Sequence, residues 1–527
     1  MAEICPQSQE RPKEEVIEDI DTPDVHNVAM KIQRAQEVYK TYGGIEDKPT
    51  KGEVLVWYLY ELCSYFVHTV LIPIVFPLII SQTVSYLPEP RQGWLRSYKD
   101  LKCKQTEMQL YEGLVYRAIK LGGMNFSPLE WTSVSWITGL ILSAPILGLV
   151  SILLDYGHSQ QLIAAAATGI GALFCLPAGF VQKSWIFPPY IAAIVAANTI
   201  VGAAHARHLG LMIRGFTGST IRKRQFPDRR SFGSWLSLYS TSAGSLGAAI
   251  IASFTYHMLR KSDHFTALWV VSIFSGLKWG VGMVHVFSTS RAISSFTEPS
   301  SNSFPMTHVV SIFKYPHAAG SLVGVFLSSF TSMCLFGGGL LYAMGYLCLE
   351  TENILYLWLV YFMFPLLSLP LAHPLQQIMR LDAEKMQILG FLLSTLTSGF
   401  GFYYRTNIWS KNQMLIFAAV QGSATEGAFS VWFSWARAIG ACAGFALSTA
   451  MPGNVGKTFG VSFCAGIVGM IVLIFGNISS FRGAKAAGHV IKSEKSSPVL
   501  QGIDEDGDEH FKGSVTVDVL PQGKVEV

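Results

Sequence analysis

Residues 57–77 read WYLYELCSYFVHTVLIPIVFP. The stretch is apolar almost throughout, and its titratable side chains are not scattered. Glu61, Tyr65 and His68 fall at i, i+4 and i+7, so a helix would carry all three on one face. The apolar run extends over 54–84, longer than the roughly 20 residues that cross a bilayer. An ionisable group at the centre of such a helix costs about 2.5–3.5 kcal/mol unless it faces a partner or water. The reading is therefore a membrane helix inside a bundle, with its polar stripe turned inward. Pro73 and Pro77 interrupt the backbone ladder, so this span is predicted to be tilted or kinked.

The same kind of run recurs along the chain. Eleven further spans are predicted at 131–154, 162–182, 185–209, 234–259, 265–288, 317–343, 354–373, 386–404, 414–434, 436–452 and 458–480, the eleventh span, 436–452, being the shortest. The runs are continuous, not the alternating short segments of a membrane barrel. The fold class is an all-α membrane protein, with twelve transmembrane helices in two six-helix halves. Its parts are a cytosolic, acidic, disordered tail (1–50), an N-terminal half (51–288), a central cytosolic connection (289–316), a C-terminal half (317–480) and a second disordered cytosolic tail (481–527). The last tail carries the solvated acidic run Asp504, Glu505, Asp506, Asp508 and Glu509.

Composition agrees. Of the 527 residues 50% are hydrophobic and only 14% charged, against about 25% charged in soluble domains. Forty-eight glycines suit close helix packing in lipid. A net charge of +4 gives no nucleic-acid footprint. Residues 1–50 hold no apolar core of a signal peptide, which leaves targeting to the first span. The loop 210–233 has the densest basic cluster between spans (Arg214, Arg222, Lys223, Arg224, Arg229, Arg230) and is placed in the cytosol. Loops 289–316 and 374–385 and both tails then share that side. The longest connection, 85–130, falls opposite despite seven basic residues of its own, and LRSYKDLKCK and YEGLVYRAIKL within it suggest an interfacial helix.

The eight cysteines (5, 63, 103, 175, 334, 348, 442, 464) form no CxxC or Cys/His cluster. That argues against a metal, a redox pair or a disulfide framework. Cys103 and Cys348 both fall on the non-cytosolic side, where a bridge is allowed, but their spacing does not call for one. No GxSxG, P-loop, HExxH or dinucleotide-binding turn is present, so neither an enzyme nor a cofactor is expected.

Several segments together resemble a known family. Twelve spans split around 289–316 follow the plan of the major facilitator superfamily. WYLYELCSYFVHTVLIPIVFP, then Pro145, Leu147, Gly148, Asp155, Tyr156 and Gly157, then Ala197, Asn198 and Gly202, and STSAGSLGAA at 240–249 are similar to its autophagy-related vacuolar amino-acid effluxer branch. The resemblance covers about 50–480. It implies alternating-access secondary transport of a small polar solute, amino acids in particular, in a vacuolar or other endomembrane rather than the plasma membrane. Tyr42-Gly-Gly-Ile45 fits a short sorting pattern. The chain departs from the family where a basic loop would follow Asp155-Tyr156-Gly157 and His158, Ser159, Gln160 and Gln161 stand instead, and where Lys278-Trp279 replaces an aromatic pair. MRLDAEKM at 379–386 keeps Asp382 and Lys385 but lacks the glycine of the matching loop.

In the superfamily plan spans 1, 4, 7 and 10 line the cavity. The candidate solute or proton pathway is Glu61, Tyr65, His68, Asn198, His205 and Glu426, the last flanked by Gln421, Ser423 and Ser430. Ser321, Ser328 and Ser332 make a stripe on span 7 that suits helix packing as well as ligand contact. Structural or coupling roles are assigned to Lys278, His285, Asp155, Gly157 and Arg437. Lys278 sits mid-span, about 15 Å from either interface at 1.5 Å per residue, beyond the reach of snorkelling. It is therefore either paired inside the protein or facing water, and the peripheral place of span 6 in the superfamily plan implies pairing. The expected partners of the protein are a small solute, protons as a candidate coupling ion and the lipid bilayer. The alternative to a transporter is a non-transporting solute receptor or membrane scaffold with a transporter-like fold; a channel or a membrane-embedded enzyme is weaker, since neither filter nor catalytic pair is visible.

Overall fold

The computed structural model describes residues 49–84, 103, 105–156, 160–177, 180, 183–217, 226–261, 264–287, 316–349, 351–379, 383–423 and 431–494. Val38–Ile478 form one compact unit. Outside it the end of the last helix, to Glu494, is described.

Among the described residues thirteen helices follow one another: α1 (Lys51–Thr83), α2 (Gln105–Val115), α3 (Pro128–Tyr156), α4 (Gln160–Cys175), α5 (Phe187–Thr217), α6 (Phe226–Lys261), α7 (His264–Val281), α8 (Pro316–Gly345), α9 (Thr351–Met379), α10 (Ala383–Tyr403), α11 (Lys411–Ser423), α12 (Val431–Ala450) and α13 (Val455–Glu494). All except α2 coincide with the predicted spans, in order. Seven (α1, α3, α5, α7, α8, α9, α13) are long and apolar enough by themselves to cross a bilayer. The others are shorter, as α4 is, or diluted by polar residues, as α6 is through its serines. Large apolar side chains point away from the bundle: Leu149, Leu371 and Ile378 are 71%, 70% and 80% exposed. In water such a surface would be a liability; around a membrane bundle it is the lipid face. This is an integral, multi-pass, all-α membrane protein.

Several boundaries differ from the sequence reading. The eleventh span is 20 residues long, not the shortest, because Val431–Trp435 join it. The tenth, expected to reach 434, is described only to Ser423. Lys278 is in the last α-helical turn of α7, which continues as a 3-10 helix over Gly282–Phe287, so the span is helical on both sides of it but changes its winding just beyond it. The 85–130 connection holds α2 and then a hairpin, with β1 (Ile119–Leu121) antiparallel to β2 (Met124–Phe126), so YEGLVYRAIKL is helix only to Val115. The turn Gly122-Gly123 has φ of +56° and +89°, a two-residue hairpin geometry that side chains with a Cβ resist. Cys103 and Cys348 are disulfide-bonded, with Cα atoms 5.7 Å apart, the bridge that their shared side allowed and their spacing did not call for.

Local chemistry starts the helices. The Glu53 amide donates to the Thr50 hydroxyl at 3.2 Å ahead of α1. Ser127 and Glu130 exchange bonds at 3.1 and 2.9 Å ahead of α3, with Pro128 at its first position. Ser410 and Gln413 do the same for α11. Over Val67–Val75 α1 widens into a π-helix. Pro73 lies inside it, and the Phe76 amide donates five residues back, to the Leu71 carbonyl. The predicted irregularity is therefore a widened turn.

The packing has a pattern. Helix α1 packs on α6, α3 on α5 and α4 on α7, while α8 packs on α12 and α9 on α11. Gly466 and Gly469 of α13 lie against Thr395 and Phe391 of α10. Counted as spans, pairs 1–5, 2–4 and 3–6 recur as 7–11, 8–10 and 9–12. The two sets meet where α6 packs on α9 and where α3 and α5 pack on α12. Within its most apolar window α1 is 89% buried, so its polar stripe faces the centre of the bundle.

Candidate functional site

The stripe opens onto a cavity of about 180 Å3 between the two sets. Its walls come from α1 (Trp57, Tyr60, Glu61, Ser64, Tyr65, His68), α5 (Asn198, Gly202, His205), α6 (Ser237, Ser240, Thr241), α8 (Ser329, Ser332, Phe336) and α12 (Ser434, Arg437), with Trp136 of α3 and Tyr361 of α9. Five of the six predicted pathway residues, Glu61, Tyr65, His68, Asn198 and His205, line this one space. The sixth, Glu426, lies outside the described residues. The expectation that spans 1, 4, 7 and 10 supply the walls is corrected in part. Among the described residues the tenth contributes none, whereas the second, fifth, eighth and eleventh contribute.

His205 Nε2 is 3.3 Å from Glu61 Oε1. The His205 ring is held in place: Trp57 stacks on it at 4.5 Å and 2°, Tyr60 leans on it at 4.6 Å, and the Trp57 indole donates to the His205 carbonyl at 3.4 Å. These helices are antiparallel, and the pairing works because Glu61 and His205 both face the α1–α5 seam. His68 lies edge-on to Tyr65 at 5.2 Å, within the π-helical stretch. Its Nε2 is buried with no hydrogen-bond partner among the described residues, an arrangement that costs about 1–3 kcal/mol unless water or a solute supplies one.

Arg437 belongs to α12, which packs on α5. Sequence reading gave it a structural or coupling role; the structure puts it on the cavity lining. Among the described residues it makes no hydrogen bond or salt bridge. The backbone around it is fixed by Ser434, whose hydroxyl donates to the Gly202 carbonyl of α5 at 3.1 Å. Ser332 takes a bond from Gln421 Nε2 at 3.4 Å, so one serine of the span-7 stripe faces the cavity and is already engaged.

No family model matches the chain, and no curated protein is similar to it. Among the solved structures it is similar to, two match over most of their length. One is a POT family transporter in complex with 5-aminolevulinic acid (TM-score 0.46, 13% identity, 84% of this chain and 99% of that one). The other is a POT family transporter in complex with a thioalcohol conjugated peptide (TM-score 0.45, 12% identity, 82% and 96%).

Of the remaining predicted residues only Lys278 has a described side chain, and it is not part of the cavity lining. Lys278 Nζ donates to the Gly247 carbonyl of α6 at 2.6 Å, an internal partner of the expected kind, though a carbonyl and not a carboxylate. Asp155 ends α3 and His285 falls in the 3-10 stretch after α7, but neither side chain is among those described; Gly157 lies outside the described residues altogether. Sequence reading missed a second buried pair, Glu53 Oε1 and His208 Nε2 at 3.1 Å, with side chains 1% and 6% exposed. Two signals pointed to it: Glu53 is two helical turns before Glu61, and His208 is one turn after His205. The described residues hold no cluster of His, Cys, Asp and Glu fit for a metal.

Proposed function

We propose that this protein is a secondary transporter of the major facilitator kind, carrying a small zwitterionic solute of the amino-acid class by alternating access. The observation that carries the reading is the cavity itself. A carboxylate–imidazole pair, Glu61–His205, and a guanidinium with no hydrogen bond or salt bridge among the described residues, Arg437, share one lining together with several hydroxyls. A carboxylate accepts from a solute ammonium, and a guanidinium binds a solute carboxylate through two parallel bonds. The volume, about 180 Å3, suits one small molecule.

The two-half plan is supported by the recurrence of helix pairs six spans apart, and by walls drawn from both sets. In such an arrangement a site on the seam can face either side as the halves rock. The motif resemblance at 57–77, 145–157, 197–202 and 240–249 supports amino acids as the solute and a vacuole-like membrane as the location.

Counterflow in proteoliposomes tests the reading. Vesicles loaded with an unlabelled amino acid should accumulate the labelled one, and Arg437→Gln should abolish accumulation of zwitterions. Binding without exchange would assign the receptor alternative. Exchange that ignores Arg437 would remove the zwitterion reading while leaving a transporter.

A further inference from the structure

At the end of the bundle where α1 finishes, the cavity is closed. Beyond Ile72 the wall of α1 becomes Pro73, Ile74, Pro77 and Leu78, and around them lies a small apolar space of about 20 Å3. Leu110 and Leu114 of α2 cover it, against Leu129 of α3, Leu340 and Met344 of α8 and Trp358 of α9. Both sets of helices thus meet beneath one short helix that belongs to neither.

The attachments of α2 are uneven. On the side of the second set they are strong. Cys103, just before α2, is bonded to Cys348 in the α8–α9 connection. Tyr111 is fully buried, and its hydroxyl donates to the Pro452 carbonyl between α12 and α13 at 3.2 Å. Its ring fills the space beside Gly345, where a Cβ would come within 2.6 Å of it. Met108 packs its sulfur 3.8 Å from that of Cys348. On the side of the first set the contact is apolar surface, through Leu110 and Leu114. The chain then returns to α3 through the hairpin, with Arg117 Nε 3.0 Å from Glu130 Oε1, an exposed pair of the kind worth little.

We propose that α2 is a closing strap. Fastened covalently to the second set by Cys103–Cys348 and laid across the ends of the first, it holds the cavity shut on this face. Opening here requires Leu110 and Leu114 to lift from α1 and α3 while α2 stays with α8. The bridge makes that separation harder because it fixes which set the strap follows and removes the freedom of α2 to leave with the other. This gives the transport reading a barrier that is deeper on one side, and it rests on that reading for its meaning, though not for its test.

Hydrogen–deuterium exchange on the full-length protein in lipid nanodiscs is the test. Three samples are compared: the parent, the parent treated with dithiothreitol, and Cys103→Ser/Cys348→Ser. Dithiothreitol closes its own disulfide as it gives two electrons and two protons to the bridge, leaving two thiols. Exchange should rise severalfold after reduction at the ends beneath the strap, 73–83 of α1 and 354–358 of α9, and not only in 105–115. A rise confined to 105–115, or none, would overturn the strap. Should the double serine variant fail to fold, reduction of the folded parent still decides. Counterflow on the same samples keeps the readings apart. Exchange that responds without counterflow leaves the strap and removes transport; counterflow with unresponsive exchange removes the strap alone.

Discussion

At the scale of single residues, Glu61 is the group on which the mechanism divides. It contacts His205 at 3.3 Å and shares a cavity with His68 and Arg437, so it can carry a proton or hold a solute ammonium. If it carries the proton, Glu61→Gln abolishes pH-driven net transport and keeps solute exchange. If it holds the solute, the same change weakens binding and exchange together. Unchanged pH-driven transport would make the pair structural. Lys278 is a different case. Its partner is a main-chain carbonyl inside α6, which keeps its helical donor when the lysine goes. Lys278→Met therefore loses one charge-assisted bond, about 1.5–3 kcal/mol, and recovers part of it through apolar burial. Gly247 is less forgiving: a methyl there would overlap the Leu62 carbonyl of α1 and press on Lys278 Nζ. Gly247→Ala should cost about 1–3 kcal/mol as overpacking with no compensation. Thermal unfolding of the two variants should rank Gly247→Ala as the less stable.

At the scale of elements, the π-helical stretch of α1 carries a prediction. Proline costs a helix interior about 3 kcal/mol relative to alanine, and Pro73 sits where the ladder has widened. Pro73→Ala lets the segment wind as an α-helix, with Phe76 donating to Ile72 in place of Leu71. Stability should rise by up to about 3 kcal/mol, while His68 turns relative to Glu61 and transport falls. A variant more stable and equally active would show that the widened turn does not position the site. The elements also show what could be read in advance. Spans were legible because lipid permits only long apolar helices with their backbone bonds satisfied internally. The Glu61–His205 wall was legible because polar groups in hydrocarbon are costly and fell at helical spacing. Arg437 was not placed on the cavity, since a lone arginine near a span's beginning reads equally well as an interfacial anchor. Glu53 reads as an ordinary first-turn acid until His208 is seen beside it. Strands of three residues are too short for any periodicity to appear.

At the scale of the whole molecule, sidedness is the property to test. The basic cluster of the loop 210–233, between α5 and α6, predicts a cytosolic place for that end of the bundle, and a disulfide at the other end suits an oxidising side. A tag inserted at Ser219 and tags on both tails should be reached only after the inner face is opened; labelling of a tail from outside would reverse the orientation. The bridge also sets a clock on biogenesis. Cys348 follows Cys103 by 245 residues, which at about 5–20 residues per second of synthesis is a wait of about 10–50 s. Through that interval six further spans must be made and inserted while the first thiol stays unspent. The bond can close only once α8 has delivered its end to the proper side. A chain carrying it has therefore brought both cysteines to one side of the membrane, so that on nascent protein the oxidation state of Cys103 records whether the end of α8 has arrived there.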